Sequence, residues 1–75
     1  MEPIGEALQL LKRQAAIQHG LRRDSATRVL EERELYLIRQ RLSRYPAALQ
    51  AIAVAASELH RPADTLSVRE VQRHV

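Results

Sequence analysis

The sequence contains no cysteine, no tryptophan and no phenylalanine, and its only aromatic residues are two tyrosines. Without cysteine the chain can form no disulfide and offers no thiolate ligand to a metal. With so few aromatic rings it lacks the stacking platforms on which single strands and RNA bases are usually held. Among nucleic acids, duplex DNA remains a candidate partner, because a helix and phosphate contacts are enough to bind it.

Glycine and proline are also scarce, with two and three residues respectively among 75. No segment shows the sustained apolar and polar alternation that is typical of a half-buried strand. No apolar run approaches the ~20 residues that a membrane-spanning helix needs. The N-terminal MEPIGEALQ lacks the basic region that begins a secretory signal. We therefore predict one all-α domain over residues 1–75, located in the cytoplasm.

Hydrophobic residues make up 45% of the chain, which is the composition of a globular protein rather than a disordered one. The net charge is +3, with eleven arginines against a single lysine. This charge suits weak attraction to polyanions without requiring it. A core of this size is only marginally stable alone, so we expect a second subunit or another partner.

Helix one is predicted from about Pro3 to His19. Proline suits the first position of a helix, and the apolar residues that follow recur at helical spacing. Gly20 is expected to end the helix in the left-handed conformation, with Leu21 folding back onto it. The buried stripe is predicted to consist of Ile4, Ala7, Leu8, Leu11 and Ala15.

Helix two is predicted to begin at Asp24 or Ser25, either of which can cap it, and to end near Arg44. It carries two apolar stripes, one of Leu35, Ile38, Leu42 and Tyr45, the other of Ala26, Val29, Leu30 and Leu37. The run LYLI covers most of the helix circumference, and such a helix is buried on more than one side. We therefore predict a symmetric homodimer. Helices one and two should form its interface, centred on Leu35, Tyr36, Leu37 and Ile38.

Helix three is predicted to begin at Pro46, to end before Pro62 and to be the central buried helix of a small bundle. Its segment PAALQAIAVAA has a single polar residue, and Ile52 should be among the most buried positions. Helix four is short. Ser67 is expected to cap it, because Glu70 follows at the spacing of a capping box. Its apolar positions are Leu66, Val68, Val71 and Val75.

The segment AVAASELHRPADTLSVREVQRHV resembles a helix-turn-helix, with an alanine-bearing helix, a turn and a serine-capped second helix. The turn is longer than usual and has no glycine. In the major groove arginine reads guanine and glutamine reads adenine, while a helix N-terminus favours phosphate. In a dimer, the two copies of helix four would contact half-sites about one helical turn apart. The predicted DNA-binding residues are Arg69, Gln72 and Arg73 for bases, and Arg61 and Ser67 for phosphates.

The alternative hypothesis is a helical protein–protein interaction module, an adaptor or inhibitor with no role in nucleic-acid binding. We expect no enzyme, because the acidic residues of helix two lie among arginines with no sign of a desolvated catalytic pair. We expect no cofactor and no metal, since the three histidines fall singly at helix ends. Duplex DNA and a protein partner are thus the two candidate ligands.

Overall fold

The computed structural model describes residues 2–20 and 25–74, and every regular element within those ranges is helical. The elements are α1 Ile4–His19, α2 Ser25–Leu42, α3 Pro46–Leu59, a 3₁₀ turn Ala63–Thr65 and α4 Val68–Arg73. The prediction of an all-α fold with three main helices and a short fourth is confirmed. The contacts predicted for Leu21, Asp24 and Val75 lie outside the described residues.

The centre of the fold is α1, which contacts α2, α3, the 3₁₀ turn and α4. The prediction that α3 would be the central helix was therefore wrong. The physical reason is that α1 carries large apolar residues on two sides, with Leu8 and Leu11 at one angle and Leu10 and Ile17 at another, whereas most apolar residues of α3 are alanines and its Val54 is exposed. α3 packs against α1, the 3₁₀ turn and α4.

The core takes side chains from every α-helix and from the segment before α4. Ile52 is 1% exposed, which confirms it among the most buried residues, and Leu66 and Val71 are completely buried. All buried residues of the described chain are apolar. They are Ala7, Leu8, Ile17, Leu35, Ile38, Leu42, Ala48, Ile52, Ala55, Leu66 and Val71.

The left-handed helix end predicted at Gly20 occurs instead at the end of α3. Gly20 has φ −110° and ψ 19°, whereas His60 has φ 53° and ψ 43°. The N–H of His60 donates to Ser57 O (3.3 Å) and the N–H of Arg61 to Ala56 O (3.1 Å). This pair of bonds is a Schellman motif, which is normally built on glycine. It turns the chain out of α3 and towards α4.

The first turn of α3 is closed by a residue from the other end of the chain. The backbone N–H of Ala48 donates to the carboxylate of Glu2 at 3.0 Å. The first N–H groups of a helix have no partner within it, and a negative charge is favourable there. Glu2 therefore holds the N-terminal segment against α3.

Candidate functional site

The two apolar stripes of α2 have different environments. Leu35, Ile38 and Leu42 are buried in the core. The opposite side of the helix faces solvent, and we call it the α2 outer face. It consists of Ala26, Val29, Leu30, Arg33, Tyr36, Leu37 and Gln40, which fall on one side at 100° per residue.

Four large apolar side chains stand exposed on the α2 outer face. The exposed fractions are 63% for Val29, 67% for Leu30, 61% for Tyr36 and 47% for Leu37. Single exposed apolar residues are ordinary, but a cluster on one helix face is typical of an interaction site. Of the four predicted interface residues, Tyr36 and Leu37 are thus available to a partner. Leu35 and Ile38 instead belong to the core of the single chain.

Among the described elements, α2 packs mainly on α1. Arg13 donates from Nε to Glu34 Oε2 (2.6 Å) and from an η nitrogen to Glu34 Oε1 (3.1 Å). This bidentate hydrogen bond lowers the pKa of Glu34 below its ordinary value, and the charge of Arg13 acts in the same direction. Because both side chains are exposed, the pair adds little stability. The orientation of α2 follows from the burial of Leu35, Ile38 and Leu42, which leaves the α2 outer face directed away from the core.

Charged residues border the α2 outer face on the side of Val29 and Tyr36. Glu32 and Arg39 lie on this edge, seven positions apart, and Arg33 lies within the face itself. Within residues 2–20 and 25–74, none of these three charged side chains makes a hydrogen bond or ion pair. Their charges are therefore available to a partner that docks on the face.

The second candidate surface lies on α4. This helix begins after Ser67, the residue predicted to cap it. Ser67 accepts a hydrogen bond from the N–H of Glu70 at 3.2 Å, and Glu70 accepts one from the N–H of Ser67 at 2.9 Å. This confirms the capping box. Leu66 before the cap and Val71 after it are both fully buried and attach this helix of six residues to the core.

Arg61 joins the end of α3 to the start of α4. Its guanidinium donates to Thr65 O (2.7 Å) and pairs with the Glu70 carboxylate. Together with the N–H of Ser67, whose hydrogen bond has the largest effect, Arg61 lowers the pKa of Glu70. Arg61 and Ser67, predicted to contact phosphates, are therefore both engaged within the fold.

The three predicted base-contacting residues share the outward face of α4. Arg69, Gln72 and Arg73 are all exposed, and no hydrogen bond or ion pair engages them in the described part of the chain. His74, next to them, is held at 2.7 Å from Glu58. The sequence prediction thus grouped these three side chains correctly, but α4 is only ~9 Å long at ~1.5 Å per residue.

Comparison with protein-family models, curated proteins and solved structures gives no significant match to this chain. In the described ranges, no three histidine, aspartate or glutamate side chains are close enough to hold a metal ion. None of the described helices has the length and apolar character needed to cross a membrane.

Proposed function

We propose that this chain is a non-enzymatic helical interaction module that binds a protein helix through the α2 outer face. The observation that carries the proposal is the exposure of Val29, Leu30, Tyr36 and Leu37 on the side of α2 opposite the core. A helix laid against this face meets apolar side chains at the spacing that helix–helix recognition uses.

The magnitude of apolar burial supports this choice. Complete burial of an exposed valine, leucine or aromatic residue contributes about 1.5–3 kcal/mol. Four side chains that are half to two-thirds exposed thus offer roughly 4–7 kcal/mol. Association costs about 4–15 kcal/mol, so a matching apolar face on the partner is needed as well. The expected partner is therefore another amphipathic helix, and a second copy of α2, as in the predicted homodimer, satisfies this requirement.

The test compares the protein with Leu30→Glu/Leu37→Glu as bait in nuclease-treated lysate of its source cells. Val54→Glu is the control, because Val54 is an exposed apolar residue on a different helix. The outer-face variant should lose the captured protein while keeping its helical circular dichroism and thermal midpoint. The control should retain the captured protein as well as its helical circular dichroism and thermal midpoint. Unchanged capture by the outer-face variant would contradict the proposal.

A second candidate function is duplex DNA binding by a cytoplasmic transcription regulator, with α4 in the major groove. It is favoured by the joint exposure of Arg69, Gln72 and Arg73. It ranks second because α4 is short and because Glu70 places a carboxylate at the end of α4 that would approach phosphate. Arg61, which neutralises that carboxylate, would have to leave it to contact DNA.

DNA binding is tested by fluorescence anisotropy on random-sequence and genomic duplex pools over a range of salt concentrations. Arg69→Ala/Arg73→Ala should abolish binding without changing the thermal midpoint, since each base-reading arginine contributes about 1–3 kcal/mol. The control is Arg28→Ala/Arg44→Ala, which removes the same charge elsewhere. A dissociation constant for the unmodified protein weaker than ~10⁻⁴ M at low salt would exclude this function.

A further inference from the structure

We infer that the α2 outer face is filled by the same face of a second copy, with the two α2 helices antiparallel. The inference rests on the proposed function of this face and names its occupant. The supporting observation is charge complementarity. Glu32 and Arg39 lie on the same edge of the face and have opposite charges, and neither side chain has a partner within the described chain. When a two-fold axis pairs this edge with itself, each Glu32 meets the Arg39 of the other copy.

The apolar and central positions agree with the same register. In heptad terms Ala26, Arg33 and Gln40 occupy one core position, and Val29 and Tyr36 the other. In an antiparallel pair, each layer of the interface joins a residue at the first core position of one copy to a residue at the second core position of the other copy. Arg33 therefore lies against the Tyr36 ring of the second copy, where a guanidinium is favourable. Leu30 and Leu37 then face each other across the opposite edge.

The parallel arrangement lacks this complementarity. It would place the two copies of Arg33 in one layer, with like charges facing each other at the centre of the interface. It would also set Glu32 against Leu37 rather than against a basic residue. The charges of α2 therefore select the antiparallel pair, in which both Glu32–Arg39 contacts form.

The test is sedimentation equilibrium at protein concentrations of about 1–100 µM, around the expected micromolar affinity. Glu32→Arg and Arg39→Glu should each raise the dissociation constant of the homodimer about ten-fold or more, since each sets like charges opposite one another twice. An equimolar mixture of these two variants should recover the dimer, because the two chains are complementary. Arg69→Glu, which changes the charge equally on α4, should leave the association unchanged.

Orientation is tested by oxidative cross-linking, for which the chain is suited because it has no native cysteine. A mixture of Val29→Cys and Gln40→Cys chains should form mixed disulfide dimers, because antiparallel α2 helices bring these positions together. In that arrangement the two Gln40 positions lie about 16 Å apart along the helix axis and should not cross-link. Preferential Gln40→Cys self-linking would show a parallel pair and overturn the inference.

Failure of the inference is distinguishable from failure of the proposed function. A chain that stays monomeric at about 100 µM, yet loses a captured protein when Leu30 and Leu37 are replaced by glutamate, has a different occupant on the α2 outer face. That result overturns the inference and leaves the proposed function standing. A monomer whose captured proteins are unaffected by those substitutions overturns both. A dimer insensitive to Glu32→Arg and Arg39→Glu overturns the inference alone.

Discussion

Replacement of Ile52 by alanine should remove a large share of the stability of this protein. Ile52 is 1% exposed, in a core that contains Leu8, Leu66 and Val71. The change deletes three carbon atoms, which at about 0.8 kcal/mol each amounts to about 2.4 kcal/mol. The cavity left behind adds to this loss, so the total should lie within about 2–5 kcal/mol. A domain of 75 residues has only roughly 4–11 kcal/mol to lose.

The assay is thermal and urea unfolding followed by circular dichroism. For a domain of this size 1 kcal/mol corresponds to about 4–8 °C, so the loss from the deleted carbons alone should lower the thermal midpoint by about 10–20 °C. Val54→Ala is the control on the same helix, because Val54 is 38% exposed and should cost less than ~1 kcal/mol. If Ile52→Ala costs less than ~1 kcal/mol, α3 does not pack against α1 as described.

Three further changes in stability are expected, each measurable by thermal unfolding. His60→Gly should stabilise by about 1 kcal/mol, because glycine avoids the cost of the left-handed conformation; a destabilisation would mean that the imidazole makes an essential contact. Gly5→Ala should stabilise the fold by about 0.4–1 kcal/mol, since a Cβ there would meet Val68 Cγ2 at an ordinary 3.5 Å. A loss of stability would show that the added methyl group clashes with Val68 at the start of α4. Acid should destabilise the fold, because Glu34 and Glu70 have pKa values below their ordinary 4.5. Their small contribution is present above pH 4.5 and disappears as the pH falls through the lowered values, so the thermal midpoint should fall slightly over that range, and a midpoint that rises on acidification would contradict the assigned hydrogen bonds.

The amino-acid sequence by itself determined the helices, the burial of Ile52 and the capping box of Ser67 and Glu70. These features follow from periodicity and from interactions between residues three or four positions apart, so no knowledge of the distant chain is needed. The short helix α4 was predictable for the same reason. So was the grouping of Arg69, Gln72 and Arg73, because a helix with Val71 in the core must direct them outward.

Only the tertiary structure decided which stripe of α2 faces the core and which remains exposed. Both stripes are apolar, and the choice depends on how α1 packs against α2, which is a long-range interaction. The same holds for Arg61, whose pairing with Glu70 requires the fold of the intervening turn, and for Glu2, which reaches α3 from the other end of the chain. The sequence shows which groups need partners, whereas the packing of the helices determines which partners come within reach.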